Sequence, residues 1–279
     1  MFPFIATVTQ AAGIIVDKII LTRRRMELHV YIPVLFLFLF LLTGILMPFL
    51  GKISLDVFHP YYLIIFFLMI ICALIWNVFY YKGAQAEKVH EFELIIMFQP
   101  LLTILLAAIL IEKNTNVHLL IASVLASLAL IFSHLKKNHF EISAAGWGLI
   151  LAVVFISMEI ILQKIMLEVL SPVALYFIRT GIIFLFFILF YRPRVRQVAN
   201  NNALLILTTS ALGVAQMVTK FYGFEVYGVI YTSLILILSP ILVYIISTIW
   251  LHEHLRPRTI IAALVILACI VYATIFNFR

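Results

Sequence analysis

Two charged residues stand where charge is expensive. Glu159 lies in LAVVFISMEIILQKIML and Arg179 in SPVALYFIRTGIIFLFFILF, runs that are otherwise almost wholly apolar. At a bilayer centre a charge costs at least about 2.5–3.5 kcal/mol, so such side chains turn toward protein and find a partner. Taking the turn between the two runs at Glu168–Pro172, each residue sits about ten positions from it, roughly 15 Å deep at 1.5 Å per helical residue. Three chemistries fit. The two can neutralise each other as a structural bridge, Glu159 can take up and release a proton, or Arg179 can grip an anionic substrate.

Uncharged polar groups converge on the same depth. They are Thr7, Thr9 and Gln10; Trp76, Asn77 and Tyr80; Gln99 and Thr103 around Pro100; Gln216 and Thr219; and Ser239 before Pro240. In lipid such groups are favoured only against protein or a wet cavity. As substrate contacts, Gln10, Trp76, Asn77, Tyr80, Gln99 and Gln216 would supply hydrogen bonds and aromatic stacking. As structural groups, each would make a helix–helix hydrogen bond of about 0.6–2 kcal/mol. Pro100 and Pro240 free the carbonyls of Ile96 and Leu236 from their amide partners. A bend at both places would suit a hinge, although proline is also common in membrane helices for other reasons.

Signals for other chemistries are absent from the sequence. No GxxxxGK[ST], HExxH or GxSxG occurs, so neither nucleotide hydrolysis nor these hydrolase sites are indicated. His29, His59, His134, His139, His252 and His254 are too widely spaced to build a lipid-processing centre. His90, Glu91 and Glu93 read as a loop face, and Glu112 and Glu253 as residues that cap or anchor helix ends. Cys72 and Cys269 lie inside apolar runs, which suggests neither a disulfide framework nor a metal site. The chain is expected to be no enzyme and to need no cofactor or metal.

The elements that must carry these residues follow from composition. Of 279 residues, 65% are hydrophobic and 11% charged, with a mean hydropathy of +1.20. Soluble domains are nearer half apolar and a quarter charged, so the class is polytopic membrane protein. The net charge of +7 belongs to short loops at lipid headgroups and does not suggest nucleic acid. About 20 apolar residues are needed to cross the hydrocarbon. Ten runs satisfy this, near 2–21, 31–50, 61–81, 94–111, 117–134, 146–167, 172–191, 203–222, 230–251 and 258–276. The basic cluster Arg23–Arg25 follows the first run rather than preceding it, which suggests a retained span rather than a cleaved leader.

The runs repeat. Slid by 140 positions, Tyr80–Glu112 lies without a gap on Lys220–His252, with Gly83 on Gly223 and Pro100 on Pro240. IIVDKIIL at 14–21 resembles IILQKIML at 160–167, and IASVLASLALI at 121–131 resembles IAALVILACIV at 261–271. Five spans is an odd number, so the second copy enters from the opposite face. The expected fold is therefore all-α, ten transmembrane helices as two inverted five-helix repeats, 1–139 and 140–279, in one membrane domain. Such repeats place a substrate near mid-membrane and permit alternating access by rocking. Most Lys and Arg follow odd-numbered spans, with Lys52, Lys113, Lys164, Lys220 and Arg279 on the other side. The positive-inside rule then puts both termini outside.

The segments MFQPLLTILLAAILIE and ILSPILVYIISTIWLHE each run from an apolar stretch through proline to a terminal Glu, and each follows an aromatic-rich end, NVFYYKGA and TKFYGFEVYG. With LEVLSPVALYFIRTGIIFLF they make the chain similar to the drug/metabolite transporter superfamily, in its EamA-like ten-helix branch. The resemblance covers nearly the whole chain. It implies a secondary transporter of small metabolites with two five-helix repeats. It also implies cytoplasmic termini, opposite to the charge count. The small residue usual before the terminal Glu is replaced by Ile111 and His252.

The expected function is secondary transport of a small metabolite or drug-like solute across the cytoplasmic membrane by alternating access, driven by a proton or solute gradient. The alternatives are an uncoupled facilitator or lipid-linked-sugar flippase of the same fold and, from another class, an integral-membrane lipid enzyme or a scaffold. The expected partners are a small-molecule substrate and the lipid bilayer. Helices 5 and 10, apolar nearly all round, would face lipid or a second copy in a homodimer.

Overall fold

The computed structural model describes residues 1–23, 26–86, 92, 95–134, 143–192, 200–251 and 257–277. The helices are α1 (Phe2–Lys18), continued by a π turn at Ile19–Arg23, α2 (Leu28–Leu50), α3 (Pro60–Ala86), α4 (Phe98–Leu110), α5 (Val117–His134), α6 (Ala144–Met166), α7 (Pro172–Tyr191), α8 (Asn200–Leu236), α9 (Leu238–Leu251) and α10 (Pro257–Asn277). No strand occurs among the described residues; Ile53 and Leu170 form an isolated antiparallel bridge. By length and composition, six described segments can cross a membrane: Phe2–Leu21, Leu28–Leu50, Pro60–Ala86, Ala144–Met166, Pro172–Tyr191 and Asn202–Val243. Phe98–Leu110, Val117–Ser133 and Ile260–Phe276 are shorter apolar helices. The chain is an all-α polytopic membrane protein. The expected repeat boundary at 139/140 lies outside the described residues.

The break expected between 222 and 230 is present, as a kink rather than an open loop. Two helical segments meet end to end at Gly228, φ 81° and ψ 169°, within the 37-residue α8. Residues 223–227 stay helical, Gly223 included, and the non-helical backbone falls on Gly228, where a positive φ carries no Cβ penalty. Lys220, assigned by sequence to a loop, is instead only 8% exposed inside α8. Its ammonium lies 5.7 Å from the centroid of the Phe221 ring. It therefore does not count toward loop charge.

The chain divides into two compact units, Met1–Leu74 with Leu162–Tyr222, and Ile75–Ile161 with Gly223–Arg279. Helices α3, α6 and α8 pass from one unit to the other.

In the first unit α2 packs most extensively on α7. The contact is reciprocal. A Cβ at Gly44 of α2 would stand 3.2 Å from Phe177, and one at Gly181 of α7 would stand 2.8 Å from Phe40. Phe40 and Phe177 stack with centroids 4.6 Å apart. Each helix thus uses a glycine to seat the other's phenylalanine, the small-residue device by which membrane helices approach closely. Ser171 caps α7 and also ties the α2–α3 connector to the α6–α7 turn. Its hydroxyl accepts from the Lys52 amide (2.8 Å) and donates to the Leu50 carbonyl (3.1 Å). The Ser54 amide donates to the Val169 carbonyl at 2.9 Å, and the Tyr62 hydroxyl to Glu168 at 2.9 Å.

In the second unit α5 lies along α10. One end of the pair is fastened by Asn116 Nδ2 donating to the Phe276 carbonyl (2.9 Å) and by His118 Nδ1 hydrogen-bonded to the Tyr272 hydroxyl (2.6 Å). Helices α3 and α6 meet through a second glycine pair. A Cβ at Gly83 would fall 2.3 Å from Leu149, and one at Gly148 2.9 Å from Phe79. Ile95, Leu149 and Val153 form the local core, with Phe92, Ile96, Leu102 and Ile150 around it.

Candidate functional site

Glu159 is 2% exposed on α6, and the Trp76 indole N–H of α3 donates to its carboxylate. The contact depends on the tight α3–α6 packing two turns away, where Gly83 and Gly148 let the helices close. Tyr80 stands edge-on to Trp76 at 5.8 Å, and Phe92 edge-on to Tyr80 at 5.3 Å. Asn77, beside Trp76, is fully buried. Trp76, Tyr80 and Glu159 are thereby brought together: a buried acidic group with a fixed N–H donor and an aromatic wall.

A second polar group joins α4 to α6 nearby along the helix. Gln99 Nε2 donates to the Thr103 hydroxyl (3.1 Å), and that hydroxyl donates to Ser157 Oγ (3.1 Å). Ser157 donates in turn to the Gln99 carbonyl at 3.3 Å. The ring of contacts closes over Pro100, and Ser157 is two positions before Glu159. The polar edge of α6 therefore touches both the proline segment of α4 and the indole of α3.

The helix interruptions match. Just before α4 the chain turns at Met97, and between α8 and α9 it turns at Ile237, each three residues ahead of its proline and 140 positions apart. Ser239, before Pro240, is fully buried, as is Thr232. Neither hydroxyl has a hydrogen-bond partner among the described residues.

Other sequence candidates separate clearly. The Thr7 and Thr9 hydroxyls return to their own helix at the Pro3 and Ile5 carbonyls (both 2.7 Å), and Thr219 returns to Ala215 (2.6 Å). Those three are structural back-bonds. Gln10 on α1 is different, since its Oε1 is buried with no partner among the described residues. Gln216 is half-buried on α8. Arg179 is 3% exposed on α7. Gln10, Gln216 and Arg179 belong to the first unit; Trp76, Asn77, Tyr80, Gln99 and Glu159 belong to the second.

Residues 144–275 match the model of the EamA-like transporter family. The match is consistent with the drug/metabolite transporter superfamily and contains Glu159, Arg179, Gln216 and Pro240. No curated protein matches the sequence. One solved structure, described as "Crystal structure of protein", superposes with a TM-score of 0.78 at 12% identity, over 100% of this chain and 98% of that one. At that identity the likeness shows the fold alone.

Three residues do more than the sequence reading gave them. Ser157 is a lone serine in an apolar helix and carries no periodic signal. Glu112 was read as an end-capping group, and it does cap a helix end, but a distant one: its carboxylate accepts the backbone amides of Val229 and, at 3.3 Å, Ile230. Asp17 is the third. It sits inside the first span, and its Oδ1 accepts the hydroxyls of Tyr31 (2.7 Å) and Thr209 (2.6 Å).

Proposed function

We propose that this chain is a secondary transporter that moves a small metabolite or drug-like solute across the cytoplasmic membrane by alternating access, with Glu159 carrying the coupling proton. The observation that carries this reading is Glu159 itself, an acidic group on a membrane-length helix of an EamA-like segment, held by the Trp76 indole and nearly inaccessible. An acidic side chain within a membrane-length helix is a functional-site candidate by default. Trp76 and Tyr80 supply a face for stacking, and Gln99 and Asn77 supply amide groups. Met97 and Ile237, ahead of Pro100 and Pro240, are the places where the helices can bend without breaking a regular ladder. Conformational exchange then turns the bound solute from one face to the other.

The test has two steps. A thermal-shift screen of metabolites on purified protein identifies a solute. Uptake of that solute into proteoliposomes under a pH gradient is then compared for wild type and Glu159→Gln. The reading expects gradient-driven uptake that the variant loses while its unfolding profile stays unchanged. Full uptake in Glu159→Gln would reduce Glu159 to a structural group.

A further inference from the structure

A second acidic group lies within a membrane-length helix, in the other compact unit. Asp17 is half-buried near the end of the Phe2–Leu21 span, where α1 passes into the π turn Ile19–Arg23. Tyr31 of α2, fully buried, and Thr209 of α8, 4% exposed, both donate to its Oδ1. Helix α8 also touches α1 one turn earlier, where the Thr209 hydroxyl is 3.5 Å from the Gly13 carbonyl. Oδ2 makes no hydrogen bond among the described residues. Tyr31 and Thr209 are the polar groups that face Asp17 from α2 and α8. The side chains of Lys18 and Arg23, next along the chain, lie outside the described residues.

We propose that Asp17 is a proton-binding site of the carrier, loaded at Oδ2 and framed by Tyr31 and Thr209. The geometry suits both charge states. As a carboxylate, Asp17 accepts two hydroxyl bonds at Oδ1, which hold the ion in a place where bare charge is costly. As an acid with its proton on Oδ2, it keeps a carbonyl oxygen at Oδ1, and both hydroxyl bonds persist. Loading therefore changes a full charge where three helices meet without dismantling the contacts. A π turn directly after such a group is a frequent companion of functional sites. The aligned position in the second half, Gln163, is an amide and is 1% exposed. A neutral polar side chain is thus compatible with the equivalent packing, and Asp17→Asn is expected to fold. The functional meaning rests on the carrier reading above: charge on Asp17 biases the exchange between the two access states.

The chain has only two aspartates, Asp17 and Asp56, and Asp56 is exposed in a short turn. Full-length Asp56→Asn protein in lipid, labelled with [4-13C]aspartate, therefore reports on Asp17 alone. Infrared difference spectra across a pH titration should show an isotope-shifted carboxylic C=O band that grows as pH falls and is absent in Asp17→Asn. In Tyr31→Phe the band should move to higher wavenumber, because its C=O loses a donor. Hydrogen exchange of α1, α2 and the Thr209 region of α8 should change over the same pH range in wild type and stay in the low-pH pattern in Asp17→Asn. A label that keeps one charge state throughout the range of folded protein overturns the proton site. A band unmoved by Tyr31→Phe overturns the assigned frame. Exchange indifferent to pH overturns the conformational bias. None of these measurements uses solute or a gradient, so they fail independently of the uptake assay that tests the carrier reading.

Discussion

The carboxylate of Glu112 sits over Gly228 and caps the helix segment that starts there. Glu112 takes the amides of Val229 and Ile230, two of the donors a helix start leaves without partners, while Gly228 adopts φ 81°. A Cβ on Gly228 would come within 2.9 Å of Glu112 Oε1. The end of α4 and the bend of α8, 116 positions apart in the sequence, are thus one structural unit.

Gly228→Ala combines a backbone conformation nearly exclusive to glycine, at about 1–3 kcal/mol, with a clash against the capping carboxylate. It should lower the unfolding midpoint in detergent more than Glu112→Ala, which loses only the cap, about 0.5–2 kcal/mol. Because the Glu112 side chain is the clashing group, the double variant should be less destabilised than the sum of the two. Strict additivity in thermal or denaturant unfolding would show that the two residues are not coupled.

The α3–α6 contact predicts a size-for-size rescue. Gly83→Ala overpacks against Leu149, at about 1–3 kcal/mol. Leu149→Ala in the same chain should recover much of that loss, though Leu149→Ala alone is destabilising by about 2–5 kcal/mol. Unfolding midpoints of the two single variants and the double variant test this directly.

Trp76→Phe keeps an aromatic ring and deletes the donor to Glu159. A hydrogen bond contributes about 0.5–1.5 kcal/mol net. The variant should be less stable by an amount within that range, and less again in uptake, and its effect should shrink when Glu159 is already Gln. An equal effect in both backgrounds would locate the role of Trp76 in packing alone.

How much of this was open to sequence reading depends on the length scale of each signal. Helices such as α7 and α10 announce themselves by unbroken apolar runs, and Pro100 and Pro240 mark the interrupted pair, down to matching turns at Met97 and Ile237. The break in α8 was visible too, since GFEVYG has the composition of a loop, but not that Gly228 alone would depart from helix. Glu159 was visible as charge in an apolar run, but its donor is 83 positions away, and only packing brings Trp76 to it. Asp17 was hidden by its neighbours. Beside Lys18 and the Arg23–Arg25 cluster it looks like the wet end of a span, whereas Tyr31 and Thr209 enclose it from two other helices.

Ser157 joins the proline segment of α4 to α6, so Ser157→Ala should loosen that junction. The expected stability loss is about 0.6–2 kcal/mol, the range for interhelical hydrogen bonds in membranes. If the segment around Pro100 bends during transport, Ser157→Ala and Pro100→Ala should alter the maximal rate of uptake more than the concentration giving half-maximal rate. A change confined to that concentration would place these residues in solute binding instead.

Counterflow tests the central claim most directly. Proteoliposomes loaded with unlabelled solute and diluted into a trace of labelled solute, with no ion gradient, should accumulate label transiently above equilibrium. Only a carrier whose site faces one side at a time exchanges solute in this way. Label that equilibrates without an overshoot, at a rate indifferent to internal solute, would contradict alternating access and with it the transporter mechanism argued for this chain.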